Sequence, residues 1–231
     1  MEEKVMAQDI TKVNGVALAT YGASLLSYNT GAVALKNNYF KPNKRLTPAI
    51  FSPDMPLRSV SIKCEFYAET DGVAESTATN LGFLMTAETD LYLPDGFYYK
   101  GVLTNAGKPT RIAQGIFQRE YTLIAYRHGG LETITLPSSG KATIKGNMDA
   151  EVRYVVTIGG GTSFTVNDIT VQNITGSTIV IDGIKGIVTE DGANCFDKTD
   201  MTEFPKLKAG TNDVTTVGNG SVVIEYYPIY F

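Results

Sequence analysis

The sequence predicts a mainly β protein, built as two antiparallel sandwich- or barrel-like domains with one helix in the first. Three observations predict it. The 231 residues include 23 Gly, 13 Tyr and 10 Phe but no Trp, a composition that favours strands joined by tight turns. Short alternating runs recur between Gly, Pro and Asn signals. One stretch alone, about 74–86, spaces its apolar residues as a helix does. The length suits one large or two ordinary domains, with 43% apolar residues available for their cores.

From the start, DITKVNGVAL gives a short strand, with a turn at Asn14–Gly15. The segment 37–57, NNYFKPNKRLTPAIFSPDMPL, holds four prolines. Proline removes ladder donors and restricts the residue before it, so the segment is neither a helix nor a central strand. It also carries Tyr39, Phe40, Ile50, Phe51 and Met55. Such a loop needs apolar cover, from its own domain or from a neighbouring subunit. These five residues are the candidate subunit contact. The nearby Lys44–Arg45 pair is read as a solvated loop.

Next, SVSIKCEFYAE puts Val60, Ile62, Cys64 and Phe66 on one face of a strand. The helix follows, with Ala74, Ala78, Leu81 and Met85 in a stripe that Leu84 extends. Gly82 weakens it by about 1 kcal/mol relative to Ala. ProAspGly at 94–96 makes a turn. An aromatic strand then ends near Leu103, and the strand 116–127 places Phe117, Arg119, Tyr121, Leu123 and Ala125 together. The Gly- and Ser-rich stretch 128–142 marks a boundary, giving domains 1–136 and 137–231. The second reads as strands at 152–158, 163–174, 177–184, 186–191 and 222–230, with Gly159–Gly161 as a hairpin turn.

Charge and chemistry narrow the function. Basic and acidic residues number 13 and 13 up to Leu136, and 7 and 11 beyond it, so no basic stripe for phosphate contacts exists. Cys64 and Cys195 read as free thiols, too few and too far apart for a disulfide framework. The N-terminus has no secretory signal and no segment is apolar enough for a membrane helix. The expectation is a soluble protein made in a cytoplasm, with no membrane insertion. His128 is the single histidine, a poor basis for Ser/His or Cys/His catalysis. Asp197, Asp200 and Glu203 miss the spacing of a calcium loop and read as a solvated acidic loop. No cofactor, metal or catalytic residue is expected.

The C-terminal stretch DGANCFDKTDMTEFPKLKAGTNDV, closing on VVIEYYPIYF, resembles the distal tail protein (Dit) family of long-tailed phages. The matching positions are Gly192 and Asn194, then Phe204, Pro205, Leu207, Gly210 and Asn212, then Tyr227 to Phe231. VNGVAL and LYLPDGFYYKGVL resemble that family's first domain in order and spacing. Where the family often has a Gly-rich segment, this sequence has the Pro-rich loop 37–57. The corner itself reads as structural: Pro205 fixes the backbone after Phe204, Leu207 adds an anchor, Gly210 permits positive φ, and Asn212 can satisfy backbone groups.

The resemblance implies a tail-tube-like N-terminal domain and a galectin-like C-terminal one. It implies a hexameric ring at the virion tail tip that joins the tail tube protein to baseplate or tip proteins and lets DNA pass without specific binding. The alternatives are a carbohydrate-binding sandwich used in host adsorption, disfavoured by the lack of Trp and His in the second half, or another tail-tube component.

Overall fold

The computed structural model describes residues 10–33, 39–40, 49–50 and 57–231. The chain divides into two compact units, 1–128 (with Phe231) and 129–230. All strand pairs are antiparallel within each unit.

In the first unit, β1 (Lys12–Val13) and β2 (Val16–Ala17) form a hairpin on Asn14–Gly15, both at positive φ, which matches the twist a two-residue hairpin needs. A 3-10 turn, Leu18–Tyr21, leads into β3 (Ala23–Val33). The Pro-rich segment contributes β4 (Tyr39–Phe40) and β5 (Ala49–Ile50), which among the described residues pair only with each other. Then come β6 (Arg58–Tyr67), α1 (Asp71–Leu84), β7 (Thr89–Tyr92), β8 (Tyr98–Ala106), β9 (Thr110–Ala113) and β10 (Ile116–His128). The sheet runs β2-β1-β7-β8-β10-β6-β3, with β9 also on β10.

Alternation decides which face is buried. Val60, Ile62, Cys64 and Phe66 of β6 are fully buried, as are Tyr121, Leu123 and Ala125 of β10, and α1 packs over them with Ala78 and Leu81, joined by Met85 just past its end. The helix starts at Asp71, three residues before the expected 74, because Thr70 caps it by accepting the Val73 amide. Leu84 does not extend the buried stripe; it lies at the helix edge, partly in solvent. Gly82 has a packing reason: a Cβ there would meet the Tyr121 ring at 3.2 Å. The Tyr121 hydroxyl also donates to the Ala78 carbonyl at 2.5 Å. The Pro94–Gly96 turn forms as expected, with Asp95 accepting the Phe97 amide and the Tyr99 hydroxyl, and β8 continues three residues past Leu103.

The second unit holds β11 (Glu132–Leu136), β12 (Gly140–Ile144), β13 (Ala150–Val166), β14 (Ile169–Gln172), β15 (Thr178–Asp182), β16 (Ile187–Glu190), β17 (Ala193–Asn194), β18 (Lys206–Leu207), β19 (Gly210–Val214) and β20 (Thr216–Tyr226). The main sheet runs β11-β20-β13-β15-β16-β17, with β14 and β18 also on β13. The β12–β19 pair buries Ala142, Ile144 and Val214 against Val152, Tyr154, Phe164 and Ile224 of that sheet. This is a β-sandwich.

Two boundaries differ from the sequence reading. The sequence puts the domain boundary between 136 and 137, whereas β11 pairs along its length with β20 and falls within the second unit. Gly159–Gly161 is no hairpin turn. It lies inside the 17-residue β13, where the register against β20 slips from Ile158–Gly220 to Gly160–Asn219 and then to Thr165–Val217. The glycines form a bulge, since Gly160 and Gly161 take the positive φ that it requires. The actual turn comes later, at Asn167–Asp168, between β13 and β14.

Candidate assembly surfaces

The corner read from the sequence is a packed junction. Pro205 is buried and its carbonyl accepts the Val152 amide at 3.1 Å; Leu207, also buried, pairs with Ala150. The half-buried Phe204 ring packs on the core and sits 6.2 Å from Phe196. Gly183 makes the close approach possible: a Cβ there would fall 2.7 Å from both the Pro205 and Val152 carbonyl oxygens. Gly210 has φ 94. Asn212 accepts the Lys208 amide at 3.1 Å and donates to the carbonyls of Lys208 and Gly210 at 2.8 and 3.0 Å.

Gly192 lies apart from that junction along the chain. With Asp191 it supplies the positive-φ turn between β16 and β17, and Asn194 closes the next bend by accepting the Phe196 amide at 3.1 Å. The structure therefore separates the motif into a hairpin and a corner. The 3-10 turn Phe196–Lys198 lies between them, and its Phe196 meets Phe204.

Sequence reasoning missed the polar knot beside this hairpin. Glu190, nearly buried, accepts the Thr175 and Gly176 amides at 2.6 and 2.5 Å and Lys198 at 2.5 Å. Lys198 and the two amides hold its carboxyl down to about 2. Lys198 also donates to the Asn173 carbonyl. In the acidic loop, Asp197, Asp200 and Glu203 are exposed, and Asp200 accepts the Thr170 amide at 2.7 Å. Among the described residues no cluster could hold a metal ion.

In the first unit His128 is buried, with Nε2 3.2 Å from Asp90 Oδ1 and its ring stacked on Tyr98. Cys64 and Cys195 are both free and buried, and burial pushes the Cys64 thiol up to about 12. Of the candidate subunit contact, Tyr39, Phe40 and Ile50 fall on the short β4–β5 pair; Phe51 and Met55 lie outside the described residues. A groove of about 850 Å³ runs between residues 20–22 and the second half of α1, lined by Tyr21, Leu81, Phe83 and Leu84 without a charged residue.

The sheet face away from α1 is polar and locally balanced. Glu120 lies opposite Lys63, Thr122 opposite Ser61, and Glu65 accepts the Gln118 amide at 2.7 Å. At the end of that sheet, among the described residues, β3 pairs only with β6. The sequence signal for this edge was available: residues 23–33 contain no charge and no proline.

Compared with solved structures, this two-unit architecture matches the Dit protein of phage SPP1, described as a paradigm of the hub adsorption apparatus in phages that infect Gram-positive bacteria. The match covers 94% of this chain and 98% of that one, with a TM-score of 0.69 at 12% identity. This is a Dit fold. Chains of the phage P2 baseplate in its activated conformation also share it. The structure with Ca matches at TM-score 0.58 and 11% identity, over 92% of each chain. The structure with Sr matches at 0.53 and 13% identity, over 91% of this chain and 92% of that one. No family model and no curated protein matches the sequence. The Dit fold is therefore held by strand order and core pattern at an identity where few individual residues coincide.

Proposed function

We propose that this chain is a distal tail protein: a structural hub at a phage tail tip, joining the tail tube to baseplate or tip proteins. The observation that carries the reading is the likeness to SPP1 Dit over nearly the whole length of both chains. A partial likeness would fit many sandwich proteins; both units in this order are far more specific.

In this reading the first unit is the tail-tube-like ring former and the second a galectin-like domain projecting outward. Six copies close around a channel for DNA. The face of Ser61, Lys63, Glu65, Gln118 and Glu120 is the natural lining, since α1 occupies the other face. Its charges oppose one another across strands, which gives a passing polyanion little to bind. The chain is assigned no reaction: His128 sits buried against Asp90 and Tyr98. The Phe204–Asn212 corner is assigned a structural role, and the loop carrying Tyr39, Phe40, Ile50, Phe51 and Met55 a subunit contact. Deleting the tip of that loop should weaken the oligomer; an unchanged oligomer would remove the assignment.

The test of the whole reading is the mass of the purified protein by light scattering, with negative-stain images of the same peak. A ring of six 25.0 kDa chains, about 150 kDa, is expected. Tubes of indefinite length would instead identify a tail-tube component.

A further inference from the structure

We infer that Arg58 is the centre of a binding site for a small oxyanion, phosphate in size, at one end of the first unit's sheet. The inference goes beyond the hub reading and does not depend on it. A guanidinium keeps its charge at any pH a protein meets, so its burial has to be answered by acceptors. The other described arginines have them. Arg111 donates to Asp71 at 2.7 Å, Arg119 to the Gly107 carbonyl at 2.7 Å, Arg127 to the Phe231 carbonyl at 2.9 Å and Arg153 to Glu225 at 2.6 Å. Arg58 is the most buried of them, only 7% exposed. Among the described residues its guanidinium makes no ion pair and no hydrogen bond, and its Nε is closed off from solvent without a partner.

The surroundings define what it binds. Alternation puts Arg58, the first residue of β6, on the buried face with Val60 and Ile62, opposite Ala125 of β10. Two residues further along β10, on the same face, Arg127 stands opposite Tyr99 of β8, its guanidinium carbon 4.5 Å from the centre of the Phe97 ring. Arg127, Tyr99 and Asp95 are the ionisable groups that act on Arg58, and burial together with the like charge of Arg127 pulls its pKa down. Asp95 is the one carboxylate among them. It already accepts the Tyr99 hydroxyl at 2.5 Å and the Phe97 amide at 3.1 Å, and it makes no bond to Arg58. The planar fork of a guanidinium holds two oxygens carried on one atom, the geometry of phosphate and carboxylate. Burial selects a small free anion over a nucleic-acid strand. Bound there, the anion supplies Arg58 with the acceptors its own chain does not.

The experiment is calorimetry of the full chain titrated with inorganic phosphate, with chloride at matched ionic strength as the reference. Phosphate should raise the transition of the first unit, saturating with concentration, and leave the second unit's transition in place. Arg58→Gln should abolish the rise or move its midpoint to about tenfold higher phosphate or more. Arg58→Lys, which keeps the charge without the fork, should retain part of it. Arg111→Gln, which removes an exposed arginine, should leave it whole. If Arg58→Gln does not fold, the wild-type titration decides alone: a first transition that phosphate moves no more than chloride does overturns the site. A rise in both transitions alike, or one that survives in Arg58→Gln, is general salt stabilisation and also overturns it. Acetate separates the source of the anion. Saturation by acetate with none by phosphate assigns Arg58 to a carboxylate, such as another protein's side chain carries, and overturns the free phosphate-like ligand.

Discussion

The two units end their sheets differently. In the second, the polar groups at the margins are answered from within: Glu190 by Thr175, Gly176 and Lys198, Asp182 by the Ile184 and Lys185 amides, Asn212 by Lys208 and Gly210. In the first, α1 is pinned over one face by Tyr121 and Arg119, while among the described residues the outer edge of β3 meets no strand along its eleven residues. A closed margin costs nothing further when the chain is alone. An open one leaves its backbone groups to solvent. The contrast teaches that the two sheets of one chain can be told apart by where the groups at their margins find partners.

The largest effect that tests this contrast is in the second core. Leu207 is buried in a cluster that shares no residue with the core of the first unit. Leu207→Ala should cost about 3 kcal/mol and lower one calorimetric transition, with the other unmoved. Transitions that shift together would break the picture of two separate cores. Gly183→Ala comes next. Its Cβ would meet two backbone oxygens at 2.7 Å, and backbone cannot rotate away, so a loss of about 2 kcal/mol is expected, again in the second transition.

How much of this was legible in the sequence depends on whether the deciding partner was near in the chain. The β6 alternation, the Ala74, Ala78, Leu81 and Met85 stripe and the Asn14–Gly15 and Pro94–Gly96 turns are local patterns, and each forms where the pattern puts it, while Leu84, read into that stripe, is left at the helix edge. The Gly159–Gly161 reading failed because three glycines look alike in a turn and in a bulge. The decision lies with Asn219, sixty residues away, whose side-chain amide donates to the Gly159 carbonyl at 2.9 Å. Strand β3 hid because its two extra residues break strict alternation and set Leu25 beside Leu26. Gly82 looked like a weakness because the ring that needs the space, Tyr121, is distant in sequence.

Acid sharpens the contrast without a mutation in either core. The Glu190 carboxyl is held down to about 2 in the folded chain, from an ordinary value of 4.5. A depressed carboxyl gives stability that is fully present above its unfolded value and is lost as pH falls through the folded one. Glu190→Gln should therefore lower the melting temperature of the second unit at neutral pH. The gap between variant and wild type should narrow from pH 4.5 downward and close near pH 2. A gap that stays constant across that window would mean the carboxylate charge contributes nothing there.

The smallest effect is the most local. Asn212 sits on β19, half-buried, and reaches back over the turn from β18 to serve both sides of the backbone: its oxygen takes the Lys208 amide, and its nitrogen supplies the Lys208 and Gly210 carbonyls. Asn212→Ala removes all three bonds, but water can reach this turn and replace part of them, so a net cost of about 1 kcal/mol is expected. Asn212→Asp keeps the acceptor and turns the donor into a second oxygen facing two carbonyls. If closure of this margin depends on the donor side, the Asp variant should be at least as unstable as the Ala variant at neutral pH, and should recover part of the loss once acid protonates the new carboxyl. An Asp variant as stable as the wild type would show that the Lys208 amide alone holds the turn, and that the carbonyls of Lys208 and Gly210 are served well enough by solvent.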